Sequence, residues 1–264
     1  MADNIWAMFG TMPGGDEEIS PPACMERAQT YLSERDKRKI RKEFKNRVGD
    51  PDQIQHLYRA VLAGAFLARQ GFTVQYEPKI NGQTPDWHFK SDGVGEFISE
   101  FRNFQSPEKI KVEQARALDE NGPRLWSGAM PENTDRLWLA MLSKATKYKK
   151  LANETGLPYV LIVHGLLTAC LDSGEVEKCI LPLDGLFAEY PDLSGVYHMY
   201  ERTYKGRLQV WWDGTKLNMQ ADPGDLRDPE AGYHFDFYPN PKATQPATWL
   251  TNGLLPYRFP ARGA

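Results

Sequence analysis

Residues 83–104 read QTPDWHFKSDGVGEFISEFRNF, and this stretch decides the predicted fold. Two short segments rich in aromatic and β-branched residues meet at a Ser-Asp-Gly turn signal at 91–93, so we expect two strands joined by a tight connection. Each strand carries one carboxylate, Asp86 or Glu100, that its apolar neighbours do not explain. These two acids are the first candidates for a functional site.

The two-residue period of a strand places alternate side chains of residues 96–103 on opposite faces of the sheet. Glu100 and Arg102 therefore share one face with Ile98, and the other face takes Phe97, Ser99 and Phe101. If the Asp86 strand pairs with this one, its carboxylate approaches that of Glu100, and two adjacent carboxylates repel unless a cation lies between them. A hard divalent ion, Mg²⁺ or Mn²⁺, would relieve this repulsion.

The rest of the chain alternates helical and strand patterns. Helices are predicted at about 25–47, 52–70, 108–120 and 134–154, and further strands at 72–78, 157–165, 176–182, 206–214 and 232–239. Asn81-Gly82 predicts a hairpin turn before the Asp86 strand. This order predicts an α/β fold, a mixed central β-sheet flanked by helices. We divide the chain into an N-terminal extension with a basic helix, residues 1–51, and an α/β domain, residues 52–264.

Composition narrows the function classes. The 264 residues are 41% hydrophobic, which suffices for a sizeable core. No apolar run approaches the roughly 18 residues of a membrane span, and the first residues lack a signal-peptide pattern, so we expect a cytoplasmic protein without a membrane partner. The three cysteines have no CxxC spacing and the five histidines no HExxH spacing, which argues against a disulfide framework or a zinc site.

A local charge block stands out from the net charge of −3, because residues 34–47 (ERDKRKIRKEFKNR) hold eight basic and three acidic residues. A helix with this run could bind phosphates, with affinity supplied by counterion release. It could equally be a solvated helix in which charges pair at i,i+4 spacing. Both interpretations stay open at this point.

The Pro-Asp pair that ends at Asp86 and the Glu-Phe-Arg triplet that begins at Glu100 resemble the motif of the PD-(D/E)xK nucleases. In that family a strand-borne aspartate precedes an acid-x-Lys triplet on the next strand. The element order over roughly residues 52–165 is similar to the restriction-endonuclease-like core. The resemblance implies a metal-dependent nuclease that hydrolyses phosphodiester bonds of nucleic acid, of DNA in preference to RNA, and it leaves a homodimer open.

The same resemblance implies the roles of individual residues. Asp86, Glu100 and the backbone carbonyl of Phe101 would hold Mg²⁺, for which Mn²⁺ can substitute. The motif lysine falls on Arg102, which suits a phosphate but does not readily accept a proton. A lysine displaced to another element could fill the gap, and Lys144 is the first candidate. Other candidates for missing groups are Lys147, Tyr148, Lys109, Lys111, Gln53, Gln55, His56 and Glu77.

Three other interpretations compete with the nuclease. Arginine at the lysine position would suit a catalytically degenerate protein of the same fold that binds nucleic acid or a protein partner without cleavage. Asp86 could instead cap a turn after Pro85, and Glu100 with Arg102 could belong to an outward-facing cross-strand arrangement of charges on a half-exposed sheet. A scaffold is the third, with an interface formed by aromatic residues of the later half: Tyr197, Tyr200, Tyr204, Trp211 and Trp212.

Overall fold

Eight strands form a single mixed sheet in the described part of the chain. The computed structural model describes residues 29–104, 109, 112, 116, 134–165, 171, 173–201, 209–212, 217–220 and 233–250. The strands are β1 (Thr73–Tyr76), β2 (Trp87–Ser91), β3 (Gly95–Phe104), β4 (Tyr159–Gly165), β5 (Gly195–Glu201), β6 (Gln209–Trp212), β7 (Leu217–Gln220) and β8 (Tyr233–Pro239).

The strand order across the sheet is β1-β2-β3-β4-β5-β8-β7-β6. Strands β1, β2 and β3 pair antiparallel, β3, β4 and β5 pair parallel, and β8, β7 and β6 continue antiparallel from β5. Strand β4 is buried along its whole length, which agrees with its uninterrupted apolar sequence and its central position.

Helices cover both faces of this sheet. On one face lie α1 (Glu34–Asn46) and α2 (Pro51–Arg69), and on the other lie α3 (Thr134–Ala145), α4 (Lys149–Thr155), α5 (Ser173–Ile180) and the short α6 (Leu186–Glu189). The predicted α/β class, with a mixed sheet flanked by helices and an N-terminal helical part, is confirmed. The restriction-endonuclease-like core and the division at residue 51 stay predictions.

Local capping explains where the first two helices begin. The Ser33 side chain accepts a hydrogen bond from the Asp36 amide (3.2 Å) and caps α1, while the Asp50 side chain accepts from the Gln53 amide (3.1 Å) and caps α2. Proline at the first position of α2 suits a site whose amide has no helical partner. Helix α2 ends before Gly71, whose φ of +93° is a left-handed conformation that glycine adopts without strain.

The register of β3 places its two sets of side chains as the strand period predicts. Phe97 and Phe101 belong to the core under α1 and α2, whereas Ile98 and Phe104 belong to the core under α3, α4 and α5. Glu100 has the parity of the second set and is buried with it. Glu100 therefore lies on the face of the sheet that α3, α4 and α5 cover.

The hairpin signal before Asp86 is also confirmed. Ile80 and Gln83 form an isolated antiparallel bridge, and the two residues between them, Asn81 and Gly82, both have positive φ, 47° and 78°. Positive φ at both central residues is the property of the type I′ turn that Asn-Gly favours.

Several predicted boundaries are wrong. The segment predicted as a strand at 176–182 lies mostly in helix α5, where Val176, Cys179 and Ile180 are buried at i, i+3 and i+4 spacing. The helix predicted at 134–154 is two helices, α3 and α4, separated by a turn at 146–148. The basic helix begins at Glu34 rather than near 25, and strands β5 and β7 were not predicted. The helix predicted at 108–120 falls largely outside the described residues.

No helix in the described ranges combines the length and the apolar character that crossing a bilayer requires.

Candidate active site

Asp86 lies immediately before β2, at the point where the β2–β3 ladder ends with the pair Trp87–Ser99. Beyond that pair no β2 carbonyl faces the Phe101 amide in the ladder, and the Asp86 side chain accepts its hydrogen bond instead, at Oδ2 (2.7 Å). The Asp86 carbonyl also accepts from the Glu77 amide on the β1 side (2.8 Å). The carboxylate is thus fixed beside the middle of β3.

Glu100 is almost completely buried, with a side chain only 2% exposed. Its Oε1 accepts hydrogen bonds from two ammonium groups, Lys144 Nζ of α3 and Lys147 Nζ of the turn after it, the latter at 2.7 Å. No described residue donates a hydrogen bond to its second oxygen, Oε2. A buried carboxylate oxygen without a donor is costly, so Oε2 is a position where a cation would be stabilised.

The two carboxylates influence each other. Burial, and then the negative charge of Glu100, raise the pKa of Asp86 to about 7, while the Phe101 amide and the two lysines act in the opposite direction. Asp86 is therefore a carboxylate that is hard to ionise in the isolated protein. Burial and a second acid close by both act against the charged form of a carboxylate.

The donor set fits a hard divalent ion in composition. Asp86 and the unpartnered Glu100 Oε2 supply two carboxylates, and the Phe101 carbonyl points to the same edge of β3 as the Phe101 amide, toward Asp86 and past the last β2–β3 pair. Carboxylate and carbonyl oxygens are the ligands that Mg²⁺ takes, with water completing its shell. Among the described residues no three His, Cys, Asp or Glu side chains gather at one point, so an ion bound here would need the carbonyl and water to complete its ligand set.

A cleft of about 690 Å³ opens beside Lys144, the lysine of α3 that donates to Glu100. It is lined by the first turns of α2, the end of β3 and one side of α3: Asp52, Gln53, His56, Arg102, Asn103, Phe104, Arg136, Leu139, Ala140, Ser143 and Lys144. Three of these side chains are permanent cations and one is an acid. The cleft is therefore suited to a negatively charged ligand.

Arg102 projects from β3 into this cleft, two residues after Glu100 and on the same face. Its Nε is buried and has no hydrogen-bond partner among the described residues. A guanidinium with an open donor suits a phosphate oxygen, which it can bind with two parallel hydrogen bonds. Arg136 of α3, which lies over the Phe104 ring at 4.9 Å, adds a second guanidinium that no sequence signal singled out.

His56 of α2 is one of the candidates for a missing group, and the structure places it at the cleft. Its ring meets the Phe101 ring edge-on at 5.4 Å and lines the cleft. Burial, and then the charges of Arg47, Lys144 and Arg102, lower the pKa of His56 to about 4, so the imidazole is neutral near pH 7. Gln53 also lines the cleft, whereas Gln55 accepts a hydrogen bond from Arg59 (3.2 Å).

Two tyrosines hold the lysine-bearing segment in place. Tyr148 donates from its hydroxyl to the Thr84 carbonyl (2.6 Å), just before the Pro-Asp pair. Tyr159 of β4 donates to the Lys144 carbonyl (2.8 Å). These contacts join the end of α3 to both the Asp86 segment and the central strand, which explains how lysines so distant in sequence reach Glu100.

The remaining candidates have other positions. Glu77 forms an ion pair of 2.7 Å with Lys39 of α1, so its carboxylate is engaged at the edge of β1. Lys109 is exposed, and Lys111 lies outside the described residues. Tyr197 is buried and packs against Phe237, which makes it a core residue, and the side chains of the other aromatic candidates of the later half are outside the description.

Comparisons of the chain with protein-family models, with curated proteins and with solved structures find no match.

Proposed function

We propose that this protein is a metal-dependent nuclease that hydrolyses phosphodiester bonds of nucleic acid, of DNA in preference to RNA, with an active site of the PD-(D/E)xK type. The observation that carries the proposal is the pair of Asp86 and Glu100. One oxygen of the buried Glu100 has no donor among the described residues, the other accepts from Lys144, and Lys144 also lines a cationic cleft. Cytoplasmic location and a homodimer stay predictions.

In this proposal Asp86, Glu100 Oε2 and the Phe101 carbonyl hold Mg²⁺ or Mn²⁺. The bound ion would supply Lewis-acid polarisation of the scissile phosphate and lower the pKa of a water molecule. Lys144 faces both Glu100 and the cleft, so its ammonium group can stabilise negative charge that develops on the phosphate. Arg102 binds and orients a phosphate oxygen. Lys144 thus supplies, from a helix, the ammonium group that the strand triplet lacks.

A cleavage assay tests the proposal. Supercoiled, linear and single-stranded DNA and a matched RNA are incubated with the protein in Mg²⁺, in Mn²⁺ and in EDTA. We expect cleavage of DNA with either ion, none in EDTA, and a loss of at least about 100-fold in Asp86→Asn and Glu100→Gln. Exposed Asp184→Asn is the control and should cleave as the unmodified protein does. Cleavage that continues in EDTA, or in both active-site variants, would refute the proposal.

The degenerate, binding-only protein is the second candidate, and one observation favours it. Two ammonium groups already neutralise Glu100 through Oε1, so part of the charge that would attract a metal is compensated within the chain. Under this alternative the protein binds DNA equally well in EDTA, the affinity falls as salt rises, and no ion induces cleavage.

A further inference from the structure

Helix α1 carries an exposed stripe of cations that its packing against the sheet leaves open. Ile40 and Phe44 anchor the helix in the core, and Lys39 binds both the carbonyl and the carboxylate of Glu77 at the edge of β1 (2.9 and 2.7 Å). The opposite side is exposed. Its basic members, here named the α1 stripe, are Arg35, Arg38, Arg41, Lys42 and Lys45.

The stripe is continuous along the helix. At 3.6 residues per turn its five side chains lie within about 120° of the circumference, and at 1.5 Å per residue they extend over about 15 Å, the axial length of about four base pairs of duplex DNA. The chain as a whole has a net charge of −3, so this is a local reversal of sign rather than a general property of the surface.

The acidic residues of α1 cancel only part of the stripe, in which Arg35 Nε lies 4.0 Å from Asp36 Oδ1. Asp36 is buried at the capped end, where it accepts a hydrogen bond from Ser33 (2.7 Å), and Glu43 pairs with Arg47 away from the stripe (2.6 Å). Glu34, paired with Lys37 at 2.6 Å, is the only exposed acid of this helix. The exposed face therefore carries five basic side chains against one acidic side chain, Glu34, whose charge acts on Arg38 and Arg41.

The position of α1 links the stripe to the cleft. Helix α1 ends at Asn46 and α2 begins at Pro51, and the first turns of α2 supply Gln53 and His56 to the cleft. The C-terminal end of the stripe is thus only a short connection away from the cleft wall. The charge of Arg47, just after α1, also acts on the cleft residue His56, so the end of α1 lies near the cleft.

We propose that the α1 stripe is a docking surface for the sugar-phosphate backbone of duplex DNA that flanks the segment held in the cleft. The proposal rests on the nuclease proposal for the nature of the ligand and deepens it by naming the surface that binds the flanking duplex. Charge complementarity supports it, since phosphates neutralised by Lys and Arg release counterions and the affinity gained is independent of sequence.

The test measures the binding of a fluorescein-labelled duplex by fluorescence anisotropy in EDTA over a series of salt concentrations. The variant Arg38→Gln, Lys42→Gln, Lys45→Gln removes three stripe charges that lie on the exposed surface. The matched control removes three exposed lysines elsewhere: Lys90→Gln, Lys178→Gln, Lys242→Gln. We expect the slope of log K against log salt to become less steep by about 2 to 3 in the stripe variant, at about 0.9 per lost phosphate contact, and by less than about 1 in the control.

An unchanged slope in the stripe variant, or an equal loss in the control, would overturn the docking surface. A loss seen with duplex RNA and not with DNA would overturn the assignment to DNA. The melting temperature of each variant is measured alongside, so that a folding defect is recognised. Cleavage assays separate the two proposals: cleavage with an unaltered stripe slope refutes the stripe alone, whereas an altered slope without any metal-dependent cleavage refutes the nuclease alone.

Discussion

Replacing Asp86 by Asn should stabilise the metal-free protein, although it removes a residue of the proposed active site. Burial and the charge of Glu100 raise the pKa of Asp86 from 3.8 to about 7. The pKa of Asp86 is thus higher in the folded than in the unfolded protein. Its contribution to the free energy of unfolding is therefore fully present below about pH 4, falls as the pH rises to about 7, and is constant above that. Asn has no such penalty and keeps an oxygen for the Phe101 amide.

The size of the effect follows from the pKa. At about 1.36 kcal/mol for each unit of pKa, the full shift of Asp86 corresponds to about 4 kcal/mol of the free energy of unfolding. The part of this penalty that develops above pH 5 corresponds to roughly 2 to 3 kcal/mol. We therefore expect the gain in the free energy of unfolding for Asp86→Asn to increase by about 2 kcal/mol between pH 5 and pH 8, or about 4–8 °C in melting temperature.

Urea unfolding in EDTA at the two pH values measures this difference. Asp184→Asn, at an exposed position, is the control and should change the free energy of unfolding by less than about 0.5 kcal/mol at either pH. A gain that is equal at both pH values, or a loss of stability at pH 8, would contradict a raised pKa of Asp86 in the folded protein. Either result would mean that Asp86 does not experience the burial and the negative neighbour that the structure describes.

The remaining predictions concern the lysines and the packing under Asp86. Lys144→Gln should lower kcat for cleavage by about 100-fold or more, because Lys144 faces the cleft. Lys147 lines a separate surface groove, so Lys147→Gln should lower kcat by less than about tenfold. Single-turnover kinetics compare the two variants, and equal losses would contradict the role assigned to Lys144. Gly64→Ala should destabilise the fold by about 1–3 kcal/mol, measured by urea unfolding, because an added methyl group would overlap the Trp87 ring; unchanged stability would show that α2 is not packed directly on β2.

The strand geometry of the site could be predicted from the sequence because it depends on short-range pattern. The two-residue period placed Glu100 and Arg102 on one face, and the Asn81-Gly82 signal fixed the hairpin before Asp86. Both features rest on local backbone preferences. The pairing of Trp87 with Ser99 then brings Asp86 next to Glu100.

The features that could not be predicted depend on contacts distant in the sequence. Lys144 and Lys147 reach the same Glu100 oxygen because the helix breaks at 146–148. Hydrogen bonds of Tyr148 and Tyr159 fix the two sides of this break. Helical periodicity alone does not show the break, so it predicted one long helix. The segment at 176–182 has apolar residues that suit either a strand or a helix, and its burial against α3 selects the helix.

The affinity for Mn²⁺ tests the central claim most directly, since the nuclease proposal requires Asp86 and Glu100 to hold one divalent ion. Calorimetric titration of the unmodified protein, Asp86→Asn, Glu100→Gln and the control Asp184→Asn would measure it. We expect one site in the unmodified protein and the control, and an affinity at least about tenfold weaker in each of the active-site variants. Absence of binding by the unmodified protein, or an affinity that neither active-site substitution changes, would show that Asp86 and Glu100 do not hold a divalent ion.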